Sequence, residues 1–71
     1  MPPYAPLSAR ELDVLRLLAI GQGSKQVASA LGISAKTVDC YRSRIMLKID
    51  AHSLAHLVHY AIRHKVVELQ G

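Results

Sequence analysis

Between Gly32 and Lys48 the chain reads GISAKTVDCYRSRIMLK, and many of its residues able to do chemistry lie there. Lys36, Arg42, Arg44 and Lys48 supply positive charge, Asp39 a carboxylate, and Cys40 the one thiol of the chain. Cations mixed with short side chains on one helix suit a polyanion. Long basic residues at the rim can reach phosphates, and short ones let the helix approach base edges. Cys40 admits two readings, a redox switch among cations or a small apolar contact such as one to a thymine methyl; the second is preferred. His52, His56 and His59 follow one another at intervals that could place zinc ligands on one face. His52 is expected to precede the helix, however, so a polar surface is preferred to a metal site. Ser8, Ser24, Ser34 and Ser53 each open a helical pattern and read as caps. No nucleophile–base–acid set is visible, and no cofactor is expected.

The frame that must position these groups is small. The chain has 71 residues, and chains of this size bury only about 60% of the surface they expose when unfolded. A substrate cavity would compete with the core for the same residues, which argues against an enzyme and for a binding module. Trp and Phe are absent, so the core must be aliphatic. The net charge of +4 favours an anionic partner. A single cysteine rules out an internal disulfide and fits a reducing compartment. No apolar run approaches the ~20 residues of a membrane span, and the start MPPYAP lacks the basic and apolar regions of a signal peptide. The expected location is cytoplasmic.

Residues 1–6 hold all three prolines and read as an extended, disordered linker; residues 7–71 form the domain. Ser8 and Glu11 make a capping box, with Leu7 and Leu12 as its hydrophobic staple. Leu12, Leu15, Leu18 and Ala19 then share a face, and Gly21 ends the first helix in the left-handed conformation. A second, short helix capped by Ser24 turns Val27, Ala28 and Leu31 inward and stops at Gly32. A third, capped by Ser34 and stapled by Ile33 and Val38, runs to about Lys48. A fourth, capped by Ser53, runs to about His64 and turns Leu54, Leu57, Val58, Ala61 and Ile62 inward. Val66, Val67 and Leu69 are expected to fold back on the core. The fold class is all-α: a compact four-helix bundle without a β-wing.

Ala28, Gly32 and Val38 have the spacing of a helix-turn-helix. A small residue allows close crossing, glycine supplies the positive φ of a tight turn, and valine plugs the angle between the helices. In that motif the second helix of the pair enters the major groove. Helical periodicity puts Val38, Tyr41, Arg42, Ile45 and Ile49 on one side of the third helix. Lys36, Cys40, Ser43 and Leu47 face the other way, flanked by Asp39 and Arg44.

The run LSARELDVLRLLAIGQGSKQVASALGISAKTVDCYRSRIMLKI, followed by SLAHLVHYAIRHKVV, resembles the LuxR-type (GerE, FixJ, NarL) DNA-binding domain from Leu7 to about Val67. The resemblance implies four helices, dimeric binding to DNA, and the output half of a bacterial response regulator or autoinducer receptor. A receiver domain is the expected missing partner, on family frequency. It places Asp39, Cys40 and Ser43 at base-contacting positions. It places Lys25, Thr37, Arg44 and Lys48 on the DNA backbone, with Lys36 and Arg42 as plausible additions. It puts His56, His59, Tyr60 and Arg63 on a dimerising surface of the last helix. Histidines facing a second copy there would weaken pairing in acid, where charged copies meet.

Two positions depart from the family pattern. The position of Tyr41 is often His, a benign exchange. The position of Asp39 often carries Lys or Arg. A carboxylate repels phosphates but accepts a hydrogen bond from the cytosine amino group, which makes Asp39 a candidate selector of cytosine. The alternative gives Asp39 a local role, at the helix dipole or on a nearby arginine. The expected function is sequence-specific binding of duplex DNA for transcriptional regulation, as a homodimer in the bacterial cytoplasm and on the nucleoid when bound. RNA polymerase is a candidate partner, and no membrane is involved. The rival reading is a module that docks on the transcription machinery without specific DNA contact.

Overall fold

The computed structural model describes residues 7–66, and all regular structure among them is helical. The four helices are α1 (Ala9–Ala19), α2 (Ser24–Leu31), α3 (Ala35–Lys48) and α4 (Leu54–Arg63). Their starts follow local chemistry. Ser8 Oγ accepts from the Glu11 N–H and Glu11 Oε1 accepts from the Ser8 N–H, so the expected capping box forms. Ser34 and Ser53 likewise accept from the N–H groups of Thr37 and His56. The start of α2 differs from expectation. Gly23 is its cap, Gln26 Oε1 accepts from the Gly23 N–H, and Ser24 is already helical. The hydroxyl of Ser24 is therefore directed elsewhere.

The helix ends share one device. After α1 the Gln22 N–H reaches the Leu17 carbonyl, after α2 Ile33 reaches Ala28, after α3 Ala51 reaches Met46, and after α4 Val66 reaches Ala61. These are the long closing bonds of a Schellman turn, which needs a left-handed residue just past the helix. Gly21 and Gly32 fill that place at the first two ends, with φ 99° and 70°. Asp50 and Lys65 fill it at the last two, with φ 55° and 58°. The closure after α2 is what lets α3 begin only a few residues later.

The core consists of Val14, Leu15 and Leu18 from α1, Val27 and Ala28 from α2, Val38 and Ile45 from α3, and Leu57 and Ala61 from α4. α1 packs against all three other helices and α2 against α3. The helix-turn-helix pair thus rests on α1, with α4 held by the same helix. Both staples, Leu7 with Leu12 and Ile33 with Val38, supply apolar groups to this core. Three inward assignments change. Leu54 is 54% exposed, and Val58 and Ile62 are only half-buried. Tyr60 instead joins Leu57 and Ala61 against the core. Arg42 is exposed rather than inward, and Met46, from an adjoining part of α3, packs on the core. Val66 packs inward as expected and its carbonyl accepts from Arg16 Nε. The linker at residues 1–6 and the inward turn of Val67 and Leu69 lie outside the described residues.

Candidate nucleic-acid interface

α3 has 14 residues, so it is about 21 Å long at ~1.5 Å per residue. Val38 and Ile45 are buried on its inner side, and Tyr41, Met46 and Ile49 pack beside them. This fixes the outer side. Lys36, Thr37, Asp39, Cys40, Arg42, Ser43, Arg44 and Leu47 are all exposed. At about 100° per residue, Lys36, Cys40, Ser43 and Leu47 form the central stripe, with Asp39 and Arg44 on opposite flanks. Cys40 and Ser43 are short, so the helix can sink into a major groove only ~12 Å wide. Leu47 is 82% exposed at the end of the stripe, where an apolar tip suits a thymine methyl.

The flanks carry the charge. Arg44 lies over the Tyr41 ring, 5.7 Å from its centre, a contact that steadies the guanidinium while leaving it exposed. Lys25, near the start of α2, is exposed. Thr37 is exposed, and its hydroxyl lies 2.8 Å from that of Ser34.

Two acids complete the geometry, and neither arrangement was legible in the sequence. Asp39 Oδ1 accepts a 2.6 Å hydrogen bond from Ser24 Oγ, joining α3 to the start of α2. Among the described residues no ion pair holds Asp39, so the arginine partner suggested for it does not occur. At the other end of α3, Lys48 Nζ lies 2.8 Å from Glu11 Oε1. Glu11 is buried within α1, its side chain 3% exposed, whereas that of Lys48 is 33% exposed. The hydrogen bond from Lys48, with that from the Ser8 N–H, holds the Glu11 carboxyl below its ordinary range against the opposing effect of burial. The ammonium of Lys48 is thus committed to the fold.

The residues expected on the dimerising surface do come together. His56, His59, Tyr60 and Arg63 line an open groove of about 500 Å³ between α4 and the turn after α3, shared with Asp50 and His64. His56, His59 and Arg63 are exposed. Tyr60 is half-buried, with its ring 4.3 Å from that of His64.

This architecture, a helix pair on a supporting helix with a short-chained, cation-flanked outer face, has a match in sequence. Residues 5–61 fit the model of the GerE domain, described as bacterial regulatory proteins of the luxR family. The chain belongs to the luxR family. A Pseudomonas aeruginosa protein named as a transcriptional regulator is 52% identical over 61 residues, covering 86% of this chain and 30% of the relative. The oxygen regulatory protein NreC of Staphylococcus haemolyticus is 42% identical over 66 residues, covering 93% of this chain and 30% of the relative. Among solved structures, VqmA bound to DPO superimposes with a TM-score of 0.79 at 37% identity, covering 84% of this chain and 30% of the other. The chain therefore spans about 30% of the length of the relatives it matches. Among the described residues, its four helices without strands are those of a LuxR-type helix-turn-helix domain. Among the described residues no helix is long and apolar enough to cross a membrane.

Proposed function

We propose that this luxR-family chain binds duplex DNA in a sequence-specific manner to regulate transcription, as the output domain of a response regulator. The observation that carries the proposal is the exposed face of α3, where Cys40 and Ser43 allow close approach, Lys36 adds charge to the stripe and Arg44 to one flank. Family membership and the naming of relatives as regulators support it. Asp39, Cys40 and Ser43 read bases. Lys25, Lys36, Thr37 and Arg44 hold phosphates and set the register. Lys48, first assigned to phosphate, acts mainly by pairing with Glu11. A bacterial cytoplasmic location follows from a chromosomal target.

Two copies bind together through α4. Support comes from exposed Leu54, with Val58 and Ile62 following at helical intervals beside His56, His59 and Arg63. The larger part of each relative lies outside the match, leaving room for a signal-receiving domain.

Fluorescence anisotropy with a labelled duplex across a salt series tests the DNA reading. Counterion release predicts that log affinity falls linearly with log salt, by about 0.9 per phosphate contact. Lys25→Ala and Lys36→Ala should each reduce the slope by about one unit. Absence of binding even at low salt would reject DNA binding by this chain and favour docking on protein. Sedimentation of the chain with and without duplex tests the pairing of copies.

A further inference from the structure

We propose that Ser24 is a positioning residue for base reading: its hydroxyl holds one oxygen of Asp39 and leaves the other to accept from a cytosine amino group. This rests on the DNA-binding reading above. A carboxylate offers acceptors only, so in the 2.6 Å contact Ser24 Oγ is the donor and Asp39 Oδ1 the acceptor.

Capping does not explain the serine. Gly23 caps α2 and Gln26 returns the bond to its N–H, so the Ser24 side chain has no part in starting the helix. Among the described residues, Asp39 Oδ2 receives no hydrogen bond or ion pair. Asp39 is itself exposed on the outer part of α3, one residue before Cys40.

An untethered aspartate on an exposed helix samples several rotamers. A tether from the neighbouring helix selects one before DNA arrives, so less ordering is left to occur on binding. The selected geometry offers a lone acceptor. Of the base edges in the major groove, cytosine presents an amino donor without an adjacent acceptor on its own edge. Adenine pairs its amino group with N7, guanine shows O6 and N7, and thymine shows O4. A fixed carboxylate oxygen therefore favours cytosine, meets the N7 acceptor beside the amino group of adenine, and is repelled by guanine and thymine. Ser24 enforces that preference without touching the base.

The test is selection from a randomised duplex pool by the 71-residue chain, beside Ser24→Ala, Ser24→Thr, Ser24→Cys and Asp39→Ala. Circular dichroism confirms that each variant is helical, and Ser24→Cys preserves shape while leaving only a weak donor. The wild type should select a column rich in cytosine. Ser24→Ala and Ser24→Cys should lower that enrichment about fivefold, the low end of what a base contact contributes, while other columns hold. Ser24→Thr should restore it. Full enrichment in both Ser24→Ala and Ser24→Cys overturns the proposal, as does a column unchanged by Asp39→Ala. If the wild type binds DNA but selects no base at that column, the inference fails and DNA binding stands. If it binds no DNA, both fail.

Discussion

The two ends of α3 are each attached to a neighbouring helix through an acid, and the attachments differ in burial and in partner. At the C-terminal end, Lys48 reaches Glu11 of α1, whose carboxylate is almost wholly buried. Near the N-terminal end, Asp39 meets Ser24 of α2 at an exposed position. A buried charge is costly to strand, so the Glu11 pair is bound up with stability. An exposed contact strands no buried charge when it is removed, so it adds little to the stability of the fold. Asp39 can therefore face a partner, whereas Glu11 cannot. One end of the helix is anchored and the other is aimed.

The contrast is most easily broken at the anchored end. Lys48→Met leaves the Glu11 carboxylate buried without its ammonium and should cost about 3 kcal/mol in urea unfolding. Glu11→Gln should cost less, because Lys48 is one-third exposed and can turn to water. A Lys48→Met cost below about 0.5 kcal/mol, the level of an ordinary surface change, would erase the distinction between the ends.

Acid probes the same pair without mutation. The Glu11 carboxyl lies below its ordinary range in the folded state, chiefly through the Lys48 hydrogen bond. Its contribution is therefore complete above the unfolded carboxyl's pKa, about 4.3, and is lost as pH falls through the lower folded value. Between neutral pH and pH ~3 the wild type should lose more stability than Glu11→Gln, as read from urea midpoints at each pH. Equal losses would remove Glu11 from the account.

A smaller effect is expected where α2 turns into α3. Gly32 has φ 70°, and a Cβ there would meet nothing within 4 Å. The cost of Gly32→Ala is then that of the left-handed backbone, about 1–2 kcal/mol. A cost near zero in thermal unfolding would show that the turn relaxes to another conformation. The smallest change in stability belongs to the aimed end. Ser24→Ala should shift unfolding by less than about 0.5 kcal/mol. A loss comparable to that of Lys48→Met would make the Ser24–Asp39 contact a second anchor.

Much of this was legible along the chain because helix starts and stops are decided within a few residues. Ser8, Ser34 and Ser53 cap as their spacing indicates, and Gly21 and Gly32 take the left-handed conformation. The aliphatic periodicity found the inner side of α3 through Val38 and Ile45. It misplaced Leu54, Val58 and Ile62 because a helical repeat marks an apolar stripe but not which edge of it a neighbour covers. α4 meets the core through Leu57, Tyr60 and Ala61, which leaves Leu54 at the margin. Glu11 was recognised for its capping bond, yet its second partner is 37 positions away.

The sequence by itself determined the four helices, the short turn between α2 and α3, and the short-chained face of α3. All of these rest on hydrogen bonds and side-chain repeats spanning about one helical turn. Only the tertiary structure decided what the charged and polar groups do. Ser24 departs from capping to hold Asp39, 15 positions away, and Lys48 reaches Glu11, 37 positions away. The physical reason is that a long or polar side chain has several partners within reach of its rotamers, and the packing of α1, α2 and α3 selects among them.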